Sequence, residues 1–237
     1  MNRVPPMIEL HELDREQIYR FLGYQPQCQT ITPQIQQLTD QCIREALQAA
    51  QPRAAFSPIL PLQRLGNQLC AAGVPLLGQE IRLHLKHCTH AVFLAVTLGT
   101  QMDRQIRTAQ VTDMARAVLL DAAANTAVEA AAQQAEDTFR DQLHLSEHRY
   151  LTGRYSPGYG DFPLAFQRDL LRLTDASRRI GLSVTPSHLL TPRKSITAVL
   201  GIADLPVTGH LAGCSHCVLR ETCLYRKKGI TCAVFDP

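Results

Sequence analysis

The chain has 237 residues, of which 45% are hydrophobic and 19% are charged, and its formal net charge is +3. This composition is typical of a folded globular protein, excludes a largely disordered one, and gives no reason to expect a nucleic-acid binder. No apolar run reaches the ~18 residues of a membrane-spanning helix, and the N-terminus lacks the pattern of a signal peptide, so we expect a cytoplasmic protein without a membrane segment.

The N-terminal region predicts two helices. Asp14 and Gln17 resemble a capping box for a helix over 14–22, which Gly23 ends. A second helix is predicted from Thr32-Pro33 to residue 50, with apolar residues at helical spacing along one side. Cysteine behaves as a small apolar residue in such a stripe, and we expect the four scattered cysteines to be buried: Cys28, Cys42, Cys70 and Cys88.

The following region predicts mostly short helices and loops. We expect a proline-punctuated connection over 52–61, a helix over 62–72 and a loop over 73–78. The segment 80–87 fits both an alternating strand and a helix, and the helix is favoured. Residues 91–98 form a short apolar run closed by Gly99, which is typical of a buried strand.

The second half predicts more helix and two further strands. The alanine-rich segment 111–143 contains no Gly or Pro and predicts one long helix or two. Pro163 begins another helix that Gly181 ends. Strands are predicted over 183–190 and 195–202, separated by Thr191-Pro192-Arg193-Lys194. Because strands and helices do not alternate regularly, we expect an α+β fold in which helices pack on a twisted, mainly antiparallel sheet.

A polar loop between the alanine-rich helical segment and the helix that begins at Pro163 has the residue types of a binding site. Arg154 offers a planar fork that suits a carboxylate, and Ser156 lies in the same turn. Pro157 and Gly158 favour a tight turn with accessible backbone groups, and Tyr159 offers a ring and a hydroxyl. On loop chemistry alone, a surface ion pair for Arg154 and a core position for Tyr159 remain open alternatives.

The hexamer 154–159 resembles the R-x-x-x-G-Y signature of the activation domain of cobalamin-dependent methionine synthase. As in that family, a helix follows, then the strand entry 181–185 and a proline turn into the segment 190–197, so that the resemblance is clear over 151–202. The chain departs from the family after Tyr159, where Gly160-Asp161-Phe162-Pro163 replaces a Pro and a Cys-Pro pair.

The resemblance implies a site for S-adenosylmethionine built from the loop residues Arg154, Ser156, Pro157, Gly158 and Tyr159. It implies further contacts from Lys194 and Ser195 at the proline turn. It also implies an activity, the reductive methylation of cob(II)alamin, which reactivates methionine synthase. The cobalamin would be carried by a partner, either the methionine synthase core or another corrinoid protein. Residues 1–208 are then an activation-domain-like domain.

The C-terminal segment 209–237 holds four cysteines with metal-ligand spacing: Cys214, Cys217, Cys223 and Cys232. Four thiolates suit zinc and a [4Fe–4S] cluster equally well, and in a cytoplasmic chain ligation is favoured over disulfides. The implied function favours the cluster, because reactivation needs a single electron. Nearby Arg220, Arg226, Lys227 and Lys228 would suit an acidic donor such as flavodoxin, with a ferredoxin as a further candidate.

Two other functions remain open at this stage. One keeps the fold and makes the chain an iron–sulfur activator of another corrinoid methyltransferase. The other makes it a non-catalytic zinc-knuckle module that binds a partner protein or a nucleic acid.

Overall fold

The computed structural model describes residues 7–24, 29–66 and 68–207. Their contacts divide the chain into two compact units. Unit 1 contains the described residues of Met1–Pro58, Phe93–Gln142 and Gln167–Thr197, and unit 2 those of Ile59–Val92, Leu143–Phe166 and Ala198–Pro237. The predicted boundary between 1–208 and 209–237 falls outside the described residues and stays a prediction.

Helices α1 (Arg15–Phe21) and α2 (Pro33–Ala49) confirm the two N-terminal predictions. The Asp14 carboxylate accepts a hydrogen bond from the Glu16 backbone N–H at 2.8 Å, and Thr32 caps α2. One stripe of α2 is buried, and it consists of Thr39, Cys42, Ala46 and Ala49. Cys42, Cys70 and Cys88 are all buried, as predicted, while Cys28 lies outside the described residues.

The predicted long helical region forms two helices, α4 (Thr100–Thr112) and α5 (Met114–Glu147). Asp113 interrupts them with extended backbone, and its carboxylate accepts a hydrogen bond from the Arg116 N–H at 3.1 Å. Alanines on α5 are buried in large number, which allows neighbouring elements to approach its backbone closely. The buried ones are Ala117, Ala122, Ala123, Ala124, Ala127, Ala131, Ala132 and Ala135.

The strands of the main sheet are β1 (Arg53–Phe56), β2 (Leu60–Leu65), β3 (Gln68–Ala71), β4 (Val74–Pro75), β5 (His90–Thr97), β6 (Tyr150–Leu151) and β9 (Ser195–Ala203). They follow the order β4-β3-β2-β5-β9-β6, and β1 pairs with β5. The pairings β1·β5, β2·β3, β2·β5, β3·β4 and β6·β9 are antiparallel. The α+β expectation and the buried strand at 91–98 are therefore confirmed.

The predictions over 52–72 are wrong. Strand β1 lies within the expected connection, and the expected helix at 62–72 is the hairpin of β2 and β3, paired from Leu62↔Ala71 to Leu65↔Gln68. Gly66, at φ 57°, provides the left-handed turn between these strands. The pairing of β2 with β5 joins Leu60 to Ala91, a non-local partnership that overrides local helical spacing.

The short helix predicted at 80–87 is confirmed as α3 (Gln79–His84). After Pro163, a 3-10 turn (Leu164–Phe166) leads into α6 (Gln167–Thr174) and α7 (Ala176–Ile180), which ends at Gly181 as predicted. The strand expected over 183–190 is instead the small hairpin of β7 (Ser183–Val184) and β8 (Leu190–Thr191). Thr185 closes its turn, because the Thr185 N–H donates to the Leu189 carbonyl at 2.8 Å and the Thr185 hydroxyl accepts a hydrogen bond from the Leu189 N–H at 3.0 Å.

Within the part of the chain that the structure describes, none of the helices combines the length and apolarity needed to cross a bilayer.

Candidate functional site

The segment that leads into the candidate loop is held against strand β9 in unit 2. After β6, the Thr152 N–H donates to the Gly201 carbonyl at 2.9 Å, and Tyr155 forms a two-way backbone bridge with Val199 at 2.9 and 2.8 Å. The Thr152 hydroxyl also accepts a hydrogen bond from the Gly201 N–H at 2.8 Å. These bonds fix the backbone on both sides of Arg154, so that its half-buried side chain starts from a defined position.

Residues 156–162 form a closed turn, which we call the binding loop together with Arg154 and Tyr155. The Gly158 N–H donates to the Phe162 carbonyl at 2.8 Å, and the Tyr159 N–H donates to the Ser156 carbonyl at 3.1 Å. Gly158 and Gly160 have φ values of 96° and 51°, which favour glycine. The sequence signature therefore contains one of the two glycines that this loop geometry requires, Gly158.

Asp161 anchors the binding loop to helix α3. Its carboxylate accepts hydrogen bonds from the backbone N–H groups of Gln79 at 2.6 Å and Glu80 at 3.0 Å. The bond from Gln79, more than any other contribution, lowers the pKa of Asp161. Gly78 accommodates this contact, because a β-carbon there would lie 2.7 Å from the Asp161 carboxylate.

Tyr155 forms the floor of the binding loop. Its side chain is 1% exposed, and its ring lies 5.0 Å from that of His84 and 6.2 Å from those of Tyr159 and Phe162. Burial, followed by the negative charges of Glu80 and Asp161, raises the pKa of Tyr155 to about 12. The hydroxyl is therefore protonated at neutral pH, and it finds no hydrogen-bond partner among the described residues.

His84 supports the same loop from α3. The ring is buried, and its Nε2 lies 3.0 Å from the Thr152 hydroxyl and 3.0 Å from the Gly153 carbonyl. Since a carbonyl only accepts hydrogen bonds, this geometry assigns a proton to Nε2. His84 therefore holds the backbone immediately before Arg154.

The structure brings five of the predicted site residues together on the binding loop. Arg154 and Ser156 are half-buried, Pro157 is buried, and Gly158 and Tyr159 are exposed. With 53% of its surface exposed, Tyr159 is not a core tyrosine.

The other two predicted contacts lie in unit 1. Lys194 Nζ lies 2.8 Å from Asp121 Oδ1 and donates to Asn125 Oδ1 at 2.7 Å. The Ser195 hydroxyl lies 2.8 Å from the Thr97 hydroxyl and 2.7 Å from the Pro192 carbonyl. Both side chains thus have partners within their own unit, and their role in ligand binding stays a prediction.

The four cysteines predicted to bind a metal, Cys214, Cys217, Cys223 and Cys232, lie outside the described residues. Among the residues that are described, no group of three or more His, Cys, Asp or Glu side chains is arranged to hold a metal ion.

Sequence reasoning did not single out Tyr155, Asp161 or Glu80. The contact between Asp161 and the start of α3 joins residues 82 positions apart, and no local pattern encodes such a separation. The available hint was the glycines on either side, because Gly78 and Gly160 both lie where a side chain would collide with this cluster.

The chain is similar to known proteins in both sequence family and fold. A family model described as "Vitamin B12 dependent methionine synthase, activation domain" matches residues 85–204, just over half of the 237 residues. A solved structure of the MetH reactivation domain bound to AdoHcy superposes with a TM-score of 0.53 at 16% sequence identity, covering 97% of this chain and 90% of that chain. At that identity the likeness concerns the fold. No curated protein matches the chain significantly in sequence.

Proposed function

Because the chain belongs to the family of vitamin B12-dependent methionine synthase activation domains, we propose that it reactivates a cobalamin-dependent methionine synthase whose cofactor has become oxidised. It would bind S-adenosylmethionine on the binding loop and dock on the cobalamin-carrying partner. The reaction is a reductive methylation of cob(II)alamin. S-adenosylhomocysteine would remain on the chain once the methyl group has been transferred.

The observation that carries this proposal is the binding loop itself. It combines a half-buried arginine, two glycines with left-handed backbone and an exposed tyrosine, and the loop is anchored to β9 through Tyr155 and to α3 through Asp161. The solved relative of the same fold is described as bound to AdoHcy, the product of methyl transfer from S-adenosylmethionine. The two findings together support an S-adenosyl ligand for this loop.

Each loop residue would have a separate task in binding. Arg154 would pair with the ligand carboxylate through two parallel N–H donors. Ser156 and the backbone around Pro157 and Gly158 would hydrogen-bond the polar edges of the ligand, and the Tyr159 ring would pack against it. Lys194 and Ser195 are proposed as further contacts on the strength of the family resemblance alone.

The chain's contribution to the chemistry would be positioning. The cobalamin of the partner supplies the metal centre that takes up one electron and receives the methyl group. The binding loop would hold the sulfonium in one orientation and exclude water around it, which converts an encounter between two molecules into a reaction within one complex.

Exposed apolar side chains around the loop support docking on a large partner. Leu77 is 55% exposed beside Gly78, and Leu164 is 39% exposed. Leu164 also borders the loop directly, because a β-carbon at Gly158 would lie 3.3 Å from its Cδ1. With Tyr159, these residues give unit 2 apolar surface next to the proposed ligand, as expected at an interaction site.

The C-terminal cysteines are proposed as ligands of a [4Fe–4S] cluster that passes the electron, with zinc as the alternative. Support comes from the C-x2-C spacing of Cys214 and Cys217 and from two further cysteines in the same segment. Protein purified without oxygen should be brown and contain iron. A colourless, zinc-containing protein would favour an interaction module.

The function is tested by a reactivation assay. The full chain is mixed with a methionine synthase core that lacks its own activation domain and holds cob(II)alamin, together with S-adenosylmethionine and an electron donor such as flavodoxin or ferredoxin. Methionine formation should return only when all components are present. No recovery, with a partner that is active when reduced chemically, would contradict the proposal. Recovery with a different corrinoid methyltransferase alone would favour the alternative activator.

A further inference from the structure

The Tyr155 hydroxyl is a buried polar group for which the described part of the chain provides no hydrogen bond. The side chain is 1% exposed, and no partner for the hydroxyl exists among the described residues. Buried hydroxyls are nearly always paired, because leaving one unpaired costs free energy. An exception inside a proposed binding loop points to a second state of the loop in which the hydroxyl is paired.

The Glu80 side chain is a candidate acceptor. A β-carbon at Gly160 would lie 2.9 Å from the Tyr155 hydroxyl oxygen and 2.9 Å from Glu80 Cγ. Both side chains therefore border the same point on the loop. Glu80 is also the first charged group that raises the pKa of Tyr155, which keeps the hydroxyl protonated and able to donate.

The loop has backbone freedom where this rearrangement requires it. Gly158 and Gly160, at φ 96° and 51°, flank the exposed Tyr159. Glycine tolerates large changes of backbone angle at low cost, so these two positions can act as hinges. By contrast, Tyr155 is held by its bridge to Val199 and Asp161 by its bonds to α3, so that movement is confined to residues between the two anchors.

We propose that Tyr155 is a positioning residue that couples this loop to its ligand. When the ligand binds, the loop shifts at Gly158 and Gly160, and the Tyr155 hydroxyl donates a hydrogen bond to the Glu80 carboxylate. The new bond stabilises the ligand-bound loop and is missing from the ligand-free one, which is the difference that a ligand needs to shift a population. This inference rests on the proposed binding of an S-adenosyl ligand.

The decisive variant is Tyr155→Phe in the full chain, because it removes only the hydroxyl. Ligand-free Tyr155→Phe should melt at the wild-type temperature or above it, since an unpaired group is lost. Its affinity for S-adenosylhomocysteine, measured by calorimetry, should fall about tenfold, since a bond to a carboxylate is lost in the complex. Opposite effects on stability and affinity are not expected of a merely structural tyrosine.

Two further variants keep the test independent of folding. Glu80→Ala should lower affinity to a similar degree and add nothing to Tyr155→Phe in the double variant, while Glu80→Gln, which keeps an acceptor oxygen, should retain most of the affinity. Tyr19→Phe is the matched control, because the Tyr19 hydroxyl also has no partner within the described residues. It should leave affinity unchanged.

The outcomes distinguish failure of the Tyr155 inference from failure of the proposed function on which it rests. Wild-type affinity in Tyr155→Phe would overturn the inference and leave the proposed function intact. A clear drop in the melting temperature of ligand-free Tyr155→Phe would also overturn it, because the hydroxyl would then be paired without ligand. Wild-type protein that binds neither S-adenosylmethionine nor S-adenosylhomocysteine would overturn both.

Discussion

The binding loop in unit 2 and the turn 191–195 in unit 1 are both parts of the family resemblance, yet they use their polar groups differently. In the turn, the Arg193 N–H donates to Asp103 at 2.8 Å, and Lys194 and Ser195 both have partners within 2.8 Å. In the loop, Gly158 and Tyr159 are exposed, and the Tyr155 hydroxyl has no partner in the described chain. The polar groups of the turn are paired within unit 1, whereas the loop has exposed residues and a buried hydroxyl whose partner is proposed to form only when a ligand binds.

Two variants are expected to lower stability most, and the first of them lies in the turn. Lys194→Met should lower the free energy of unfolding by about 2 kcal/mol. The substitution removes a cation whose side chain is only 11% exposed, and its carboxylate and amide partners lose their contact with it. Urea denaturation measures the change. Lys86→Met is the control, since Lys86 is exposed, and it should have almost no effect. Equal stability of Lys194→Met and the wild type would remove the distinction between turn and loop.

Gly160→Ala should cost about 2 kcal/mol, and Gly181→Ala about 1 kcal/mol. Both glycines have positive φ, but only at Gly160 would the added carbon meet Glu80 and Tyr155 at 2.9 Å, while Gly181 has open space. The difference between the two variants in denaturant midpoint therefore measures the crowding under the loop. If both variants lose the same amount, the packing of Tyr155 and Glu80 against Gly160 is not tight.

An effect as small as that of Gly181→Ala is expected at the anchor of the loop. Asp161→Asn should destabilise the chain by about 1 kcal/mol at neutral pH, because the amide is a weaker acceptor for the start of α3. The folded-state pKa of Asp161 is lowered, chiefly by the Gln79 N–H, so its contribution is present above the unfolded-state value of about 3.9 and is lost as the pH falls through the folded-state value.

Thermal unfolding between pH 3 and pH 7 follows this contribution. The difference in melting temperature between the wild type and Asp161→Asn should become smaller toward pH 3. A difference that stays constant over the range would show that the charge of Asp161 is not involved.

Local sequence patterns correctly predicted the elements that show a cap, a periodic apolar stripe or a continuous apolar run within their own residues. Helix α2 has a cap and a periodic stripe, and β5 is a continuous buried run. Gly158 was predicted by the family signature, and its positive φ explains why the loop requires a glycine there, whereas Gly160 lies where the chain departs from the family.

The wrong strand and helix predictions and the missed site residues have a common physical cause. Residues 62–72 look helical in isolation, but most of them form the β2·β3 hairpin, and the start of β2 pairs with β5, a partnership that lies outside any short window. The anchor at Asp161 and the support from His84 depend on residues 68 to 82 positions away. Sequence reasoning therefore found the loop but not the residues that hold it.

Arg154 and the rest of the binding loop are proposed to bind an S-adenosyl ligand. Calorimetric titration of S-adenosylmethionine into the wild type, Arg154→Ala and the surface control Arg172→Ala tests this proposal most directly. We predict saturable binding to the wild type and to Arg172→Ala, and a loss of at least about tenfold in affinity for Arg154→Ala. Equal affinity in all three proteins, or no binding to the wild type, would contradict the account.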